Sequence, residues 1–184
     1  MTAESERLFL AVALSDDVRH ALAAFVDDPR ELPGRPVDPG NWHVTLRFLG
    51  RTEPMQRDIV LAHIDQELAQ RRFTLGFGGL GAFPRPGRAT VLWLGIEQGA
   101  DEIEALADRC ESAAQAAGFS PEDRPFHPHV TLSRIRPWQD LRPLVERFPR
   151  FPATQTVEAI TLFRSVLGQG GAGYETVDTV PLPA

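Results

Sequence analysis

Lysine is missing from this chain. All 19 basic residues among its 184 positions are arginine. That excludes Schiff-base chemistry, a P-loop lysine and any lysyl-nucleotide intermediate, although a GC-rich genome is the plain source of such a bias. Cysteine occurs once, as Cys110, so no intrachain disulfide can form and a cytoplasmic setting is expected. No apolar run approaches the roughly 20 residues that cross a bilayer, and Met1 to Arg7 lacks the basic start of a secretory signal. No membrane association is therefore expected. Positive charge is also scarce overall. The net charge is −6, opposite to what a protein gripping a long duplex through many phosphates needs. Any nucleic-acid partner should be a short stretch or an end.

What is present is ordinary globular material. Hydrophobic residues make up 42% and charged residues 24%, values that exclude disorder, collagen and coiled coil as the main state. The length suits a single domain over residues 1–184.

Strands and helices alternate along the chain. Arg7 to Leu14 is strand-length and apolar. Ser15 caps a helix over about 16–28, with Asp16 and Asp17 in its first turn. Trp42 to Leu49 is a second strand, Thr52 and Pro54 open a second helix, and Phe73 to Phe83 is a third strand bent by its glycines. The order then recurs: strand 89–96, helix 100–117 with Cys110 on its apolar stripe, strand 128–134, and a helix around Leu141 to Phe148. Two final strands, 156–164 and 174–180, are joined by a flexible glycine-rich turn at 168–173. The expected fold is α+β: two pseudo-symmetric lobes built from a duplicated β-α-β-α-β unit, with mainly antiparallel sheets around a central cleft. The halves divide near residue 86, giving about 1–86 and about 87–184.

One tetrapeptide occurs in both halves. His43-Val44-Thr45-Leu46 and His129-Val130-Thr131-Leu132 are identical and stand 86 residues apart. On a strand, alternate residues share a face. His43 and Thr45 therefore point together, as do His129 and Thr131, while the valines and leucines face a core. A pseudo-twofold would bring both polar faces to one cleft. Two imidazoles can divide proton transfer, one taking and one giving. Two hydroxyls can donate to the non-bridging oxygens of a tetrahedral anion. Arginine adds charge at Arg134, and at Arg47, which strand alternation puts on the His43 face. Such a set suits in-line attack at phosphorus. The histidines could instead be metal ligands, but no Asp, Glu or Cys stands at ligand spacing, so no metal is expected. His127 shares the alternation of His129 and reads as a supporting residue, so Arg47 and His127 are secondary candidates. His20 and His63 read as solvated helix residues.

These residues resemble the 2H phosphoesterase superfamily, named for two H-x-T/S motifs. More narrowly, they resemble the RNA 2′,3′-cyclic phosphodiesterases, historically called 2′-5′ RNA ligases. The resemblance runs the length of the chain through RLFLAVAL, NWHVTLRFLG, GLGAFPRPGRATVLWLG, FHPHVTLSR and LFRSVLGQGGAGYE. It implies hydrolysis of a 2′,3′-cyclic phosphate to a 2′-phosphomonoester without cofactor. His129 would be the base, His43 the acid, and Thr45, Thr131 and Arg134 the phosphate ligands. The implied partners are RNA ends carrying a cyclic phosphate, or small cyclic nucleotides, with no obligatory protein partner and a monomeric state. Action on 2′-5′ bonds, and an RNA-end-binding module without turnover, are the alternatives. Phe9, Phe48 and Trp93 are candidates to stack on a terminal base.

Overall fold

The computed structural model describes residues 5–168 and 171–184. Met1 to Glu4, and Gln169 and Gly170 of the glycine-rich turn, lie outside the described residues. In chain order the strands are β1 (Glu6–Ala13), β2 (Arg35–Pro36), β3 (His43–Thr52), β4 (Phe73–Phe83), β5 (Ala89–Gln98), β6 (His129–Gln139), β7 (Thr154–Val157), β8 (Ala159–Gly168) and β9 (Gly171–Pro181). The helices are α1 (Asp16–Phe25), α2 (Pro54–Glu67), α3 (Ala100–Ala116) and α4 (Arg142–Arg147). The fold is α+β, as the sequence pattern predicts.

Local chemistry explains the elements. Ser15 accepts the Val18 N–H and starts α1. Gln56 reaches back to the Glu53 N–H and starts α2 behind Pro54. Val60 and Ile64 of α2, and Ile103, Leu106, Cys110 and Ala113 of α3, are fully buried at helical spacing. Burial pushes the Cys110 thiol pKa up, so it behaves as a small apolar side chain. Helix α4 has six residues and is shorter than the apolar pattern predicts. Strand β6 continues to Gln139, which pairs with Ala89, and Pro149 closes the other side. Two short features were not legible: β2, and the separation of β7 from β8.

The sheet runs β7-β4-β5-β6-β3-β1-β8-β9, with β2 added beside β6. All its pairs are antiparallel. Its two halves meet at β3 and β6, whose ladder is the single pair Val44–Val130. On each side of that seam the order of elements is equivalent, so the pseudo-symmetry passes through it. The lobes are not the two halves of the chain, however. Strand β4, from the first half, pairs with β5 and β7 of the second, while β8 and β9 lie outside β1. Each lobe therefore borrows outer strands from the other half of the sequence, and the boundary near residue 86 does not divide the sheet. The helices α2 and α3 pack together on one face. Leu8, Leu10, Val44, Leu92, Leu94 and Val130 lie beneath the helical layer in the hydrophobic core.

Candidate active site

Both motif strands begin at their histidine. Val44 and Val130 point into the core and are fully buried, so His43, Thr45, His129 and Thr131 flank the seam on the opposite face. The two imidazoles are held in the same way. His43 Nδ1 lies 2.7 Å from the Asn41 carbonyl oxygen, and His129 Nδ1 lies 2.6 Å from that of His127. A carbonyl only accepts, so each Nδ1 carries hydrogen and each neutral ring keeps its lone pair on Nε2. Thr45 Oγ1 is 2.8 Å from His43 Nε2, and against the neutral ring the hydroxyl donates.

Aromatic side chains fix both rings. Phe9 lies 4.9 Å from His43 between ring centroids, and Tyr174 meets it edge-on at 5.2 Å. Phe83 meets His129 edge-on at 5.0 Å, and Trp93 packs 4.8 Å from His127. Trp93 stands directly opposite Gly81, where a Cβ would fall 2.1 Å from the indole. Only glycine leaves room for that ring. Burial pushes the His43 pKa down to about 4, against the pull of the Asn41 carbonyl, and the positive charges of His129 and Arg134 lower it further. Burial also lowers His129, helped by His127 and Arg134 and opposed by the His127 carbonyl. These surroundings favour two neutral imidazoles.

A β-bulge follows each motif. In β3, Leu46 is inserted between Thr45, opposite Ala11, and Arg47, opposite Leu10. In β6, Leu132 is inserted between Thr131, opposite Trp93, and Ser133, opposite Leu92. The extra residue reverses the alternation. It corrects the placement of Arg47, which does not share the His43 face. Its side chain is 9% exposed, ion-paired to Glu111 of α3 and Glu122, and donates to the backbone oxygens of Phe48 and Ser120. The same reversal returns Arg134 to the cleft face, where it is exposed. His127 supplies the carbonyl for His129 and packs edge-on against Trp93, a supporting position.

Of the three aromatic candidates, Phe9 is 3% exposed and Trp93 is half-buried among rings, whereas Phe48 is 56% exposed. Sequence reasoning missed Asn41 and Tyr174. A backbone carbonyl leaves no mark on residue type, and the single tyrosine had no repeat to single it out. Among the described residues no group of three His, Cys, Asp or Glu is placed to hold a metal, and no helix is long and apolar enough to cross a membrane.

Residues 15–169 match the 2′-5′ RNA ligase superfamily. The chain belongs to that superfamily. It is 39% identical over 154 residues to the RNA 2′,3′-cyclic phosphodiesterase of Aeropyrum pernix, covering 79% of this chain and 85% of the relative. The Escherichia coli RNA 2′,3′-cyclic phosphodiesterase is 32% identical over 173 residues, 93% of each chain. Among solved structures, apo E. coli LigT superposes with a TM-score of 0.79 at 30% identity, covering 99% of this chain and 100% of that one. A crystal structure described as a phosphoesterase reaches 0.83 at 29% identity, covering 98% and 100%.

Proposed function

We propose that the protein hydrolyses 2′,3′-cyclic phosphates at RNA ends to 2′-phosphomonoesters, by acid–base catalysis shared between His43 and His129. The observation that carries this reading is the twin imidazole arrangement. Each Nδ1–H is tied to a carbonyl two residues upstream, so each Nε2 is the atom available for proton exchange. The activity named for the curated relatives supports it.

In the proposed reaction, His129 Nε2 takes a proton from water as the water oxygen bonds to phosphorus. The P–O3′ bond breaks, and His43 Nε2 gives its proton to O3′. The Thr45 and Thr131 hydroxyls and the Arg134 guanidinium hold the non-bridging oxygens as charge grows there. His43 must be protonated for its part, although its burial disfavours this. The anionic phosphate supplies the opposite charge that restores the proton. Nothing in this scheme asks for a metal. Ligation to a 2′-5′ bond is the same step with a nucleoside 5′-hydroxyl attacking phosphorus in place of water, its proton taken by the base and O3′ again leaving with a proton from the acid.

The test is to incubate the protein with an oligonucleotide ending in a 2′,3′-cyclic phosphate and to identify the isomer formed. A 2′-phosphate is expected; a 3′-phosphate, or no turnover, overturns the reading. The acid and base labels are tested separately with a substrate whose leaving group needs no proton, such as an activated aryl phosphodiester. It should restore part of the rate to His43→Ala and none to His129→Ala. The opposite pattern exchanges the labels.

A further inference from the structure

Arg35 and Arg134 are direct cross-strand partners in the β2–β6 pair. Residues so placed leave the ladder on the same face, and like charges in that relation destabilise a sheet. Both are exposed, and among the described residues neither makes a salt bridge or side-chain hydrogen bond. The neighbouring Arg30 is already paired, at 2.9 Å from Asp28. The approach of the two strands is built in. Gly34 has φ +80°, and a Cβ there would lie 2.5 Å from the Arg134 carbonyl oxygen, so a side chain would push β2 off β6.

Both arginines line one open cavity of about 570 Å³, with Asn41, Tyr174, Arg30 and Asp38 also on its wall. Asn41 and Tyr174 also contact His43, so the cavity lies beside the motif histidine, and Arg134 and Arg35 are both on its wall. The one carboxylate named there, Asp38, accepts the Gly40 N–H at 2.7 Å. It makes no ion pair with either arginine. Two unpaired guanidinium groups held side by side on a groove wall call for an anion with more than one charged group.

We propose that Arg35 binds the phosphodiester on the 5′ side of the terminal nucleotide, while Arg134 serves the reacting cyclic phosphate. The groove then selects oligonucleotide ends over cyclic mononucleotides. This rests on the reading of the site as a cyclic phosphodiesterase and adds to it a second phosphate position. A mononucleotide without a 5′-phosphate has nothing to offer Arg35.

The experiment compares wild type with Arg35→Gln on a 2′,3′-cyclic mononucleoside phosphate and on a tetranucleotide with the same end. Arg35→Gln should raise KM for the tetranucleotide by about 10- to 100-fold, as losing one hydrogen bond to a charged group does, and leave the mononucleotide within about twofold. Arg35→Lys should recover part of the loss. The salt dependence of tetranucleotide KM should also weaken by nearly one phosphate contact. An unchanged tetranucleotide KM, or equal losses on both substrates, overturns the subsite while leaving the cyclic phosphodiesterase reading intact. A wild-type protein inactive on both substrates overturns that reading, and the subsite falls with it.

Discussion

Phe48 and Arg134 occupy equivalent positions in the two lobes. Each stands three residues after its motif threonine, just past the inserted leucine of a bulge. Each is the first side chain that the bulge returns to the cleft face. One lobe thus offers an apolar ring where the other offers a cation, so the pseudo-twofold is broken at the place where a nucleotide bound as proposed would need different partners for base and phosphate. Arg134→Gln should lower kcat by about 10- to 1000-fold, as expected for a donor to developing charge. Phe48→Ala should raise KM and spare kcat, because stacking contributes about 1–3 kcal/mol to binding a base. Steady-state kinetics on a cyclic nucleotide check this; a kcat collapse in Phe48→Ala would contradict it.

Thr45→Ala and Thr131→Ala should each slow turnover by about 10- to 1000-fold and leave the unfolding midpoint nearly unchanged. Both side chains are only partly buried and face the cleft. Thr45 carries an additional consequence. Its hydroxyl contacts His43 Nε2, so Thr45→Ala should also move the pH profile, whereas Thr131→Ala should not. Identical profiles for the two variants would show that the Thr45–His43 contact is irrelevant to turnover.

Both histidines titrate below their ordinary range in the free protein. The pH dependence of kcat/KM reports the free protein, and that of kcat the complex. The kcat/KM bell should therefore peak on the acid side of about 6.5, the ordinary imidazole value. The kcat bell should lie at higher pH, because bound phosphate favours the protonated ring. The apparent values belong to the coupled pair. A kcat/KM maximum above neutrality would count against the buried-imidazole account.

The same burial makes stability pH-dependent. His43 titrates at about 4 when folded and near 6.5 when unfolded, so between those values the unfolded chain binds more protons. Stability is full above the upper value and falls as pH drops toward the lower one. His43 alone should cost about 2 kcal/mol between pH 7 and pH 5. Urea denaturation at the two pH values should show a smaller difference in His43→Gln. An equal difference in the variant would place the ring in water.

Arg47→Met should be a stability mutant. It removes a guanidinium that ties β3 to Glu111 of α3 and to the Ser120 carbonyl. Breaking a buried pair costs about 3–5 kcal/mol, less here because Glu111 keeps 24% of its side chain in water, so a loss of about 2–3 kcal/mol is expected. Turnover per folded molecule should persist. Unchanged stability with lost activity would return Arg47 to the cleft.

The contrast between Arg47 and Arg134 shows what could be read from the sequence. The HVTL repeat, the strands carrying it and the helix caps are written in residue type and short-range spacing, and the structure brings Thr45, Thr131 and both histidines to one face. The bulges are not written there. They depend on register against β1 and β5, so simple alternation put Arg47 on the wrong face. The exchange of β4 and β8 between lobes was hidden for a related reason. Either half could supply its own outer strand by local pattern alone, and the choice is made by packing across the whole sheet. The carbonyls of Asn41 and His127 belong to a group that every residue carries.

The Val44–Val130 pair also has a mechanical meaning. Among the described residues it is the one rung between the two half-sheets, so a rocking of one half-sheet against the other about that rung would turn on it. Displacement grows with distance from a fulcrum. His43 is one residue from it and Phe48 four, so at about 3.3 Å per residue the rim travels about four times as far as the imidazole for the same angle. The imidazoles proposed to exchange protons sit where such rocking would move them least. The outer cleft, where an RNA strand of variable shape would be gripped, sits where it moves most.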